Sequence, residues 1–290
     1  MSLSIQSNAA SLSIQNQLNR TNSALSTALE RLGSGYRINS AKDDAAGLQI
    51  ANRLNAQATG QKAAIYNANN AQSMMQTAEG AFDEMTNIAN RMKELATQGA
   101  NGTNSASEYT AMDGEYQELA AQMASIMDNT SYGAGTALLS VTGKFGAGAV
   151  TFQVGASTAE VLSVNVSTEV GNVNTAVGTV DGTGVYTAGT LGALTTQATS
   201  STAIGKIDTL IDNIGAARSK LGASMNRLDH TVNNVTNMKQ NTEAAASNLM
   251  DADYAAETSA MTKQQLLMNS GISVLSAANS TTSMIASLLR

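Results

Sequence analysis

The sequence contains no proline, no cysteine and no tryptophan, and aromatic residues make up only 3% of its 290 positions. Without proline, helices can run for many turns with no kink or break. Without cysteine, there is no disulfide, no thiol chemistry and no cysteine-ligated metal site. The scarcity of aromatic residues excludes a conventional core built on Phe and Trp, so aliphatic side chains, Met and Ala must do the packing.

Charge is also scarce. Charged residues are 13% of the chain and the net charge is −6, which argues against a nucleic-acid partner. No Lys or Arg precedes an apolar run near the first residue, so if the protein is exported, we expect a route that reads no cleavable signal. No stretch of about 18 apolar residues is present, so we expect no membrane insertion.

One apolar stripe dominates the chain. Its members step alternately by three and four residues, as in a helix that packs lengthwise on another helix: Ile204, Ile207, Ile211, Ile214, Arg218, Leu221, Met225, Leu228, Val232 and Val235. At ~1.5 Å per residue this helix is roughly 48 Å long. Burying each such side chain stabilises by about 1.5–3 kcal/mol only where a partner covers it, so a partner helix is required.

Two further helices are predicted, and the first of them is the partner for this stripe. Residues 48–96 keep a near-helical register of Ala and Met, and 99–104 interrupts it with glycines. A second helix covers 105–128, and it begins at a capping box formed by Ser105 and Glu108.

Both ends carry heptads and few charges. The positions are Leu18, Leu25 and Leu32 near the start, and Tyr254, Met261, Met268, Leu275, Thr282 and Leu289 near the finish. Arg20 is the only charge before Leu29, and Lys263 is the only one from 260 to 289. Such helices lack a strongly solvated face and are expected to become ordered among neighbouring chains. Because the two ends share heptad spacing and a scarcity of charge, we predict that the chain folds back so that its two ends pair.

The centre has a different composition. Between 129 and 203 there are four charged residues, and alternating runs at 150–154 and 161–166 predict a β-hairpin joined by 155–160. Residues 170–201 show no firm period. The sequence therefore predicts a mainly α protein. Its N- and C-terminal regions form an antiparallel long-helix coiled-coil bundle, and a small β-rich region lies in the centre.

Residues that could carry chemistry are few. Asp43 and Asp44 sit at the predicted start of a helix, with Ser40 three residues before Asp43, so capping explains them better than metal binding. His230 is the only histidine and lies beside the apolar stripe, where a packing or surface role is expected. No nucleophile–His–carboxylate set, phosphate loop or metal cluster is present, so we predict no catalytic site and no cofactor.

The N-terminal segment LERLGSGYRINSAKDDAAGLQIANRL strongly resembles bacterial flagellin. The resemblance continues through NAQSMMQTAEGAFDEM and RMKELATQGANGTNS and resumes in the last ninety residues, over roughly two-thirds of the chain. It implies a subunit that polymerises into the flagellar filament. Hook–filament junction proteins share this end pattern but often carry Pro after the paired Asp, where this chain has Ala45.

The resemblance also implies a domain layout. Residues 1–43 would form an inner-tube helix and spoke, and 44–137 the first part of the helical domain. Residues 138–202 would hold the hairpin and a small variable region. The second part of the helical domain would span 203–250, and the C-terminal inner-tube helix 251–290.

Partners follow from the resemblance as well. They are other copies of the chain, a flagellin chaperone bound near 249–290, cap and junction proteins, and the vertebrate Toll-like receptor 5. In RMKELATQ and MDGEYQEL the receptor-binding positions would be Arg91, Leu95 and Glu115, although a solvated helix face explains these residues without the resemblance. The filament-packing positions would be seven of the terminal heptad residues: Leu18, Leu25, Leu32, Met261, Met268, Leu275 and Leu289. A junction or adhesin-like minor component remains the alternative, followed by an enzyme and a membrane-inserting translocator.

Overall fold

A computed structural model gives the fold, and it describes residues 8–133, 135–180 and 186–288, with side chains described up to Thr281. The elements, in chain order, are α1 Ala9–Ser34, α2 Ala45–Gly99, α3 Ala106–Asn129, β1 Ser131–Tyr132, β2 Thr136–Ala137, β3 Val150–Gln153, β4 Val161–Val164, α4 Ser167–Val177, β5 Gly178–Val180, β6 Tyr186–Ala188, α5 Gln197–Met250 and α6 Tyr254–Leu288. The mainly α fold with small antiparallel sheets confirms the predicted fold class.

The chain forms two compact units. The terminal unit contains the chain up to Ala58 and from Gln240 onward, and the central unit runs from Thr59 to Lys239. Helices α2 and α5 contribute to both units, because each crosses a boundary between them. The five-part layout expected from the sequence divides the chain at other points and stays a prediction.

In the terminal unit, α1 and α6 form an antiparallel pair. Arg31 contacts Glu257 at 3.0 Å at one end of the pair, and Asn8 Nδ2 donates to the carbonyl oxygen of Ala278 at 3.0 Å toward the other. Midway, a Cβ added to Gly271 would lie 2.7 Å from Leu18, so the absence of a side chain lets the helices approach closely. The pairing of the two chain ends is as the sequence predicts.

A short bridge fixes the turn after α1. Gly35 ends the helix at φ 78°, a left-handed conformation that suits glycine. The backbone N–H of Ala252 donates to Gly35 at 2.9 Å, and that of Arg37 donates to Met250 at 2.6 Å. These bonds hold the chain that leaves α1 against the junction of α5 and α6.

The start of α2 differs from the prediction. Ser40 does not begin the helix, because Asp43 Oδ2 accepts from the backbone N–H of Ser40 at 2.9 Å and closes a separate turn. The pKa of Asp43 is lowered chiefly by its hydrogen bonds from backbone N–H groups. Asp44 performs the capping role instead, since its Oδ1 accepts from Gly47 N–H at 2.9 Å.

The central unit holds the main hydrophobic core. Helix α5 buries alternate members of its apolar stripe, namely Ile207, Ile214, Leu221, Leu228 and Val235, and the members between them are half-buried. Helix α2 supplies Met75, Phe82, Met85, Met92 and several alanines, and α3 supplies Tyr116, Met123 and Met127. The capping box that begins α3, with Ser105 and Glu108, is present as predicted.

The β3–β4 hairpin also matches the prediction. Val150 pairs with Val164 and Gln153 with Val161 in antiparallel register. Its turn packs tightly on α2, because a Cβ added to Gly60 would lie 2.9 Å from the Cβ of Ala156. Asn67 Nδ2 on the same helix donates to the carbonyl oxygen of Gln153 at 3.3 Å.

Helix α4 was not predicted. It buries Val170, Val173 and Val177, which step by three and four residues and form one helical face. Val and Thr have low intrinsic helix propensity, so the segment reads as irregular without its surroundings. Burial against the core overrides that preference.

We expect Phe82→Ala to destabilise the central unit by about 3–5 kcal/mol, because Phe82 is fully buried and truncation leaves a cavity. Tyr66→Ala in the same helix is the matched control, since Tyr66 is 67% exposed. Urea unfolding monitored by circular dichroism measures both variants. Equal losses of stability would contradict the assignment of the core.

Candidate assembly surfaces

Side chains suited to metal binding do not cluster in the part of the chain that the structure describes: no three His, Asp or Glu residues lie close enough to hold a metal ion. His230 is exposed on α5. Among the described helices, none is both long and apolar enough to cross a membrane.

The predicted filament-packing residues line the seam between α1 and α6 of one chain. Leu18, Leu25 and Leu32 of α1 are half-buried there, and so are Met261, Met268 and Leu275 of α6. Only Thr21 and Ala28 of α1 are fully buried. Two helices cover just one side of each other, so the seam residues keep partly open flanks. Leu289 lies outside the described residues.

Other apolar side chains on the same two helices are much more open. On α1 these are Leu12 (66% exposed) and Leu29 (52%), and on α6 they are Leu266 (63%), Leu267 (45%), Ile272 (55%) and Val274 (53%). The heptad pattern did not single them out, because they fall between its positions. Their signal in the sequence is the near absence of charge on these helices.

The exposed apolar residues of α6 point in several directions. At ~100° per residue, Leu266 lies opposite the seam, Leu267 and Val274 lie on one flank, and Ile272 lies on the other. Leu266 and Leu267 share an open surface with Lys263 and with the hydroxyl groups of Thr258, Ser259 and Thr262. A helix that is apolar all round is normally a buried helix, so this pattern calls for neighbours on more than one side.

A charged cluster joins α2 and α3. Arg91 Nε donates to Glu115 at 2.8 Å, and its Nη1 donates to Glu94 at 2.5 Å. These hydrogen bonds, that of Glu115 first, raise the pKa of Arg91. All three side chains are exposed, whereas Leu95 is only 2% exposed and belongs to the core. Of the positions implied for the receptor, Arg91 and Glu115 therefore share a surface, whereas Leu95 is buried in the core.

Ion pairs also link α2 to α5. Arg218, the one charged member of the apolar stripe, contacts Asp83 at 3.1 Å and Glu79 at 3.7 Å. Lys93 contacts Asp208 at 2.5 Å. Pairs this exposed typically contribute about 0–1 kcal/mol each, so their main effect is to favour one lengthwise register of the two helices.

Two polar side chains, those of Tyr116 and Asn174, are buried in the central unit. Burial raises the pKa of the Tyr116 hydroxyl, and that hydroxyl has no partner among the described residues. Asn174 Nδ2 donates to the carbonyl oxygens of Leu139 at 2.8 Å and Val170 at 3.0 Å, which joins α4 to the loop before β3.

Lys220 lowers the pKa of Glu169 through a 2.6 Å hydrogen bond on the surface of the central unit.

Together these features define a class of protein. The central unit has a buried helical core, and the terminal helix pair has apolar side chains exposed on several sides. Association of several copies of the chain would cover those side chains. The chain is a self-assembling structural subunit with long helices and a small β region.

Two family models match the chain. The bacterial flagellin N-terminal helical region matches residues 5–143, and the bacterial flagellin C-terminal helical region matches residues 204–289. The chain belongs to the bacterial flagellin family. It is a structural subunit that polymerises into the extracellular filament of the flagellum, an organelle of motility, and it is not an enzyme.

Two flagellins are similar to this chain over all or nearly all of its length. Flagellin A of Vibrio anguillarum is 33% identical over an alignment of 384 positions that covers 100% of each chain. A flagellin of Listeria monocytogenes is 37% identical over 288 residues, or 99% of each chain. These matches confirm the prediction of a filament subunit and do not favour the junction or adhesin-like alternative.

One solved structure supports the fold alone. A putative flagellar hook-associated protein from Vibrio parahaemolyticus has a TM-score of 0.54 at 15% sequence identity. The similarity covers 72% of this chain and 100% of that one. At this identity the match shows shared architecture and does not bear on function.

Proposed function

We propose that copies of the subunit contact one another through the exposed apolar residues of α1 and α6, together with the open flanks of the heptad seam. The observation that carries this proposal is the exposure of four apolar residues that lie on several sides of α6 and are each roughly half exposed or more: Leu266, Leu267, Ile272 and Val274. Covering each such side chain stabilises an assembly by up to about 1.5–3 kcal/mol. Contacts of this heterologous kind that do not close on themselves produce an open helical filament.

The charge distribution favours the same surface. Lys263 is the only cation on α6, and Glu257 of α6 already contacts Arg31 of α1 within the chain. On α1, the exposed Glu30 lies next to Leu29. With so few charges, close approach of several copies involves little repulsion between like charges and little desolvation of ions.

We expect Leu266→Asp to prevent filament growth, because a carboxylate would be buried where Leu266 now offers an uncovered apolar side chain. The unfolding of the monomer should be unchanged, since Leu266 is exposed and opposite the seam. Seeded polymerisation followed by light scattering and negative-stain electron microscopy measures the first effect, and thermal melting measures the second.

Two variants provide controls for this experiment. Leu266→Met keeps the apolar character and volume, so it should polymerise normally. Leu275→Asp places the charge in the half-buried seam, so it should block polymerisation and also reduce the helicity contributed by the α1–α6 pair. Normal filaments from Leu266→Asp would remove this residue from the contact surface between copies.

We also propose the five-part domain layout that the resemblance implies, and the binding of a chaperone, a cap protein and junction proteins to the terminal helices. A chaperone that covered α6 before export would shield its exposed apolar residues from premature association. The cap and junction proteins would meet the same terminal helices at the two ends of the filament. These assignments are supported by the exposure of α6 and by the family resemblance.

We also propose that Arg91 and Glu115 form a contact surface for Toll-like receptor 5. Both side chains are exposed, and their 2.8 Å hydrogen bond fixes them on one face of α2 and α3. The role of Leu95, which is 2% exposed, is to hold that face in place. The motif RMKELATQ supports the proposal by resemblance.

A double variant, Arg91→Ala with Glu115→Ala, should lower receptor activation about tenfold in reporter cells, because it removes two charged contacts at one surface. Lys93→Ala is the matched control, since Lys93 lies two residues away in α2 but pairs with Asp208 of α5. Equal activation by all three proteins would rule out this surface as the receptor contact.

A further inference from the structure

The turn between α2 and α3 contains the only Asn-Gly pair in the sequence, Asn101-Gly102. Both residues are exposed. We propose that Asn101 is a site of spontaneous covalent modification, in which its side-chain amide is converted to a carboxylate through a cyclic imide.

The reaction needs only the chain and water. The backbone nitrogen of Gly102 attacks Cγ of Asn101 and forms a new N–C bond, while the Cγ–Nδ2 bond breaks and ammonia leaves. Water then opens the five-membered ring at either carbonyl, which gives aspartate or isoaspartate. Glycine favours the first step, because it has no Cβ to hinder the approach and its backbone is the least restricted.

The local hydrogen bonding leaves the attacking group available. Among the described residues, none accepts a hydrogen bond from Gly102 N–H. A Cβ built on Gly102 would meet its nearest neighbour, the Gln197 side chain, at 3.6 Å, so the turn has room to adjust. The Oδ1 of Asn101 receives only a long contact of 3.4 Å from Thr103 N–H.

Other exposed or partly exposed asparagines lack this combination. After Asn104, Ser105 N–H donates to Glu108 Oε2 at 2.6 Å. After Asn39, Ser40 N–H donates to Asp43 Oδ2 at 2.9 Å. In both cases the residue after the asparagine is a serine, which has a Cβ, and its backbone N–H, the group that would attack, donates to a carboxylate. Asn104 lies in the same turn as Asn101, so it serves as an internal control.

The products would change the turn in two ways. Either product adds a negative charge just beyond the C-terminal end of α2, where the helix dipole disfavours anions. Isoaspartate also lengthens the backbone by one carbon, beside the carbonyl oxygen of Asn101 that accepts from the Tyr109 hydroxyl at 3.4 Å. Subunits that have spent time outside the cell would then differ chemically from new ones in the connection between α2 and α3.

The test is to age the full-length protein at mildly alkaline pH and to follow Asn101 and Asn104 by peptide mapping, mass spectrometry and enzymatic detection of isoaspartate. We expect Asn101 to convert about tenfold faster than Asn104, because only Asn101 precedes an unrestricted glycine. Conversion should also accelerate with pH, since the attacking nitrogen must lose its proton.

Gly102→Ala is the matched variant. It leaves Asn101 in place and fits the open space at Gly102, so it should fold normally and slow the conversion at Asn101. A free peptide with the sequence of residues 98–105 is the reference for an unfolded Asn-Gly. If that peptide converts while Asn101 of the protein stays intact or matches Asn104, the fold protects the site and the proposal is overturned. The outcome is independent of polymerisation, so it can be separated from the contact surface proposed above.

Discussion

Burial of the apolar stripe of α5 is the constraint on which the central unit depends. With aromatic residues so scarce, this stripe must be covered by small and flexible side chains, and α2 supplies them as alanine and methionine. Alanine lets helix backbones approach closely, and methionine fills irregular space with its flexible thioether. The Gly60–Ala156 contact extends the same principle to the β3–β4 hairpin, which packs directly on the backbone of α2.

The two units divide the requirements of a filament subunit between them. In the central unit most of the apolar stripe of α5 is buried or half-buried, and ion pairs around Arg218 and Lys93 favour one register of the helices. In the terminal unit, two helices bury only part of their apolar surface and leave side chains open around α6. A protein that must be stable as a single chain and adhesive as a polymer needs both kinds of surface.

The structure also separates residues that look alike in the sequence. Arg91 and Leu95 are four residues apart on one helix, yet one is an exposed partner of Glu115 and the other is in the core. Leu266 and Met268 are two residues apart, and only Met268 lies in the seam with α1. In a narrow helix pair, a rotation of about 100° per residue is enough to move a side chain from a covered face to an open one.

Much of this architecture was decided by local pattern. Three-four spacing predicted α5, and a near-helical register of Ala and Met predicted α2. A capping box marked the start of α3, alternation marked the β3–β4 hairpin, and heptads at both ends predicted the pairing of α1 with α6. These features follow from periodicity and capping, which act within a few residues. Only the tertiary structure decided the rest. Helix α4 forms because its valines are buried, and Leu266, the most exposed apolar side chain described on α6, lies outside the heptad. Each of these outcomes depends on which groups of distant segments are near enough to cover a side chain, and spacing along the chain does not contain that information.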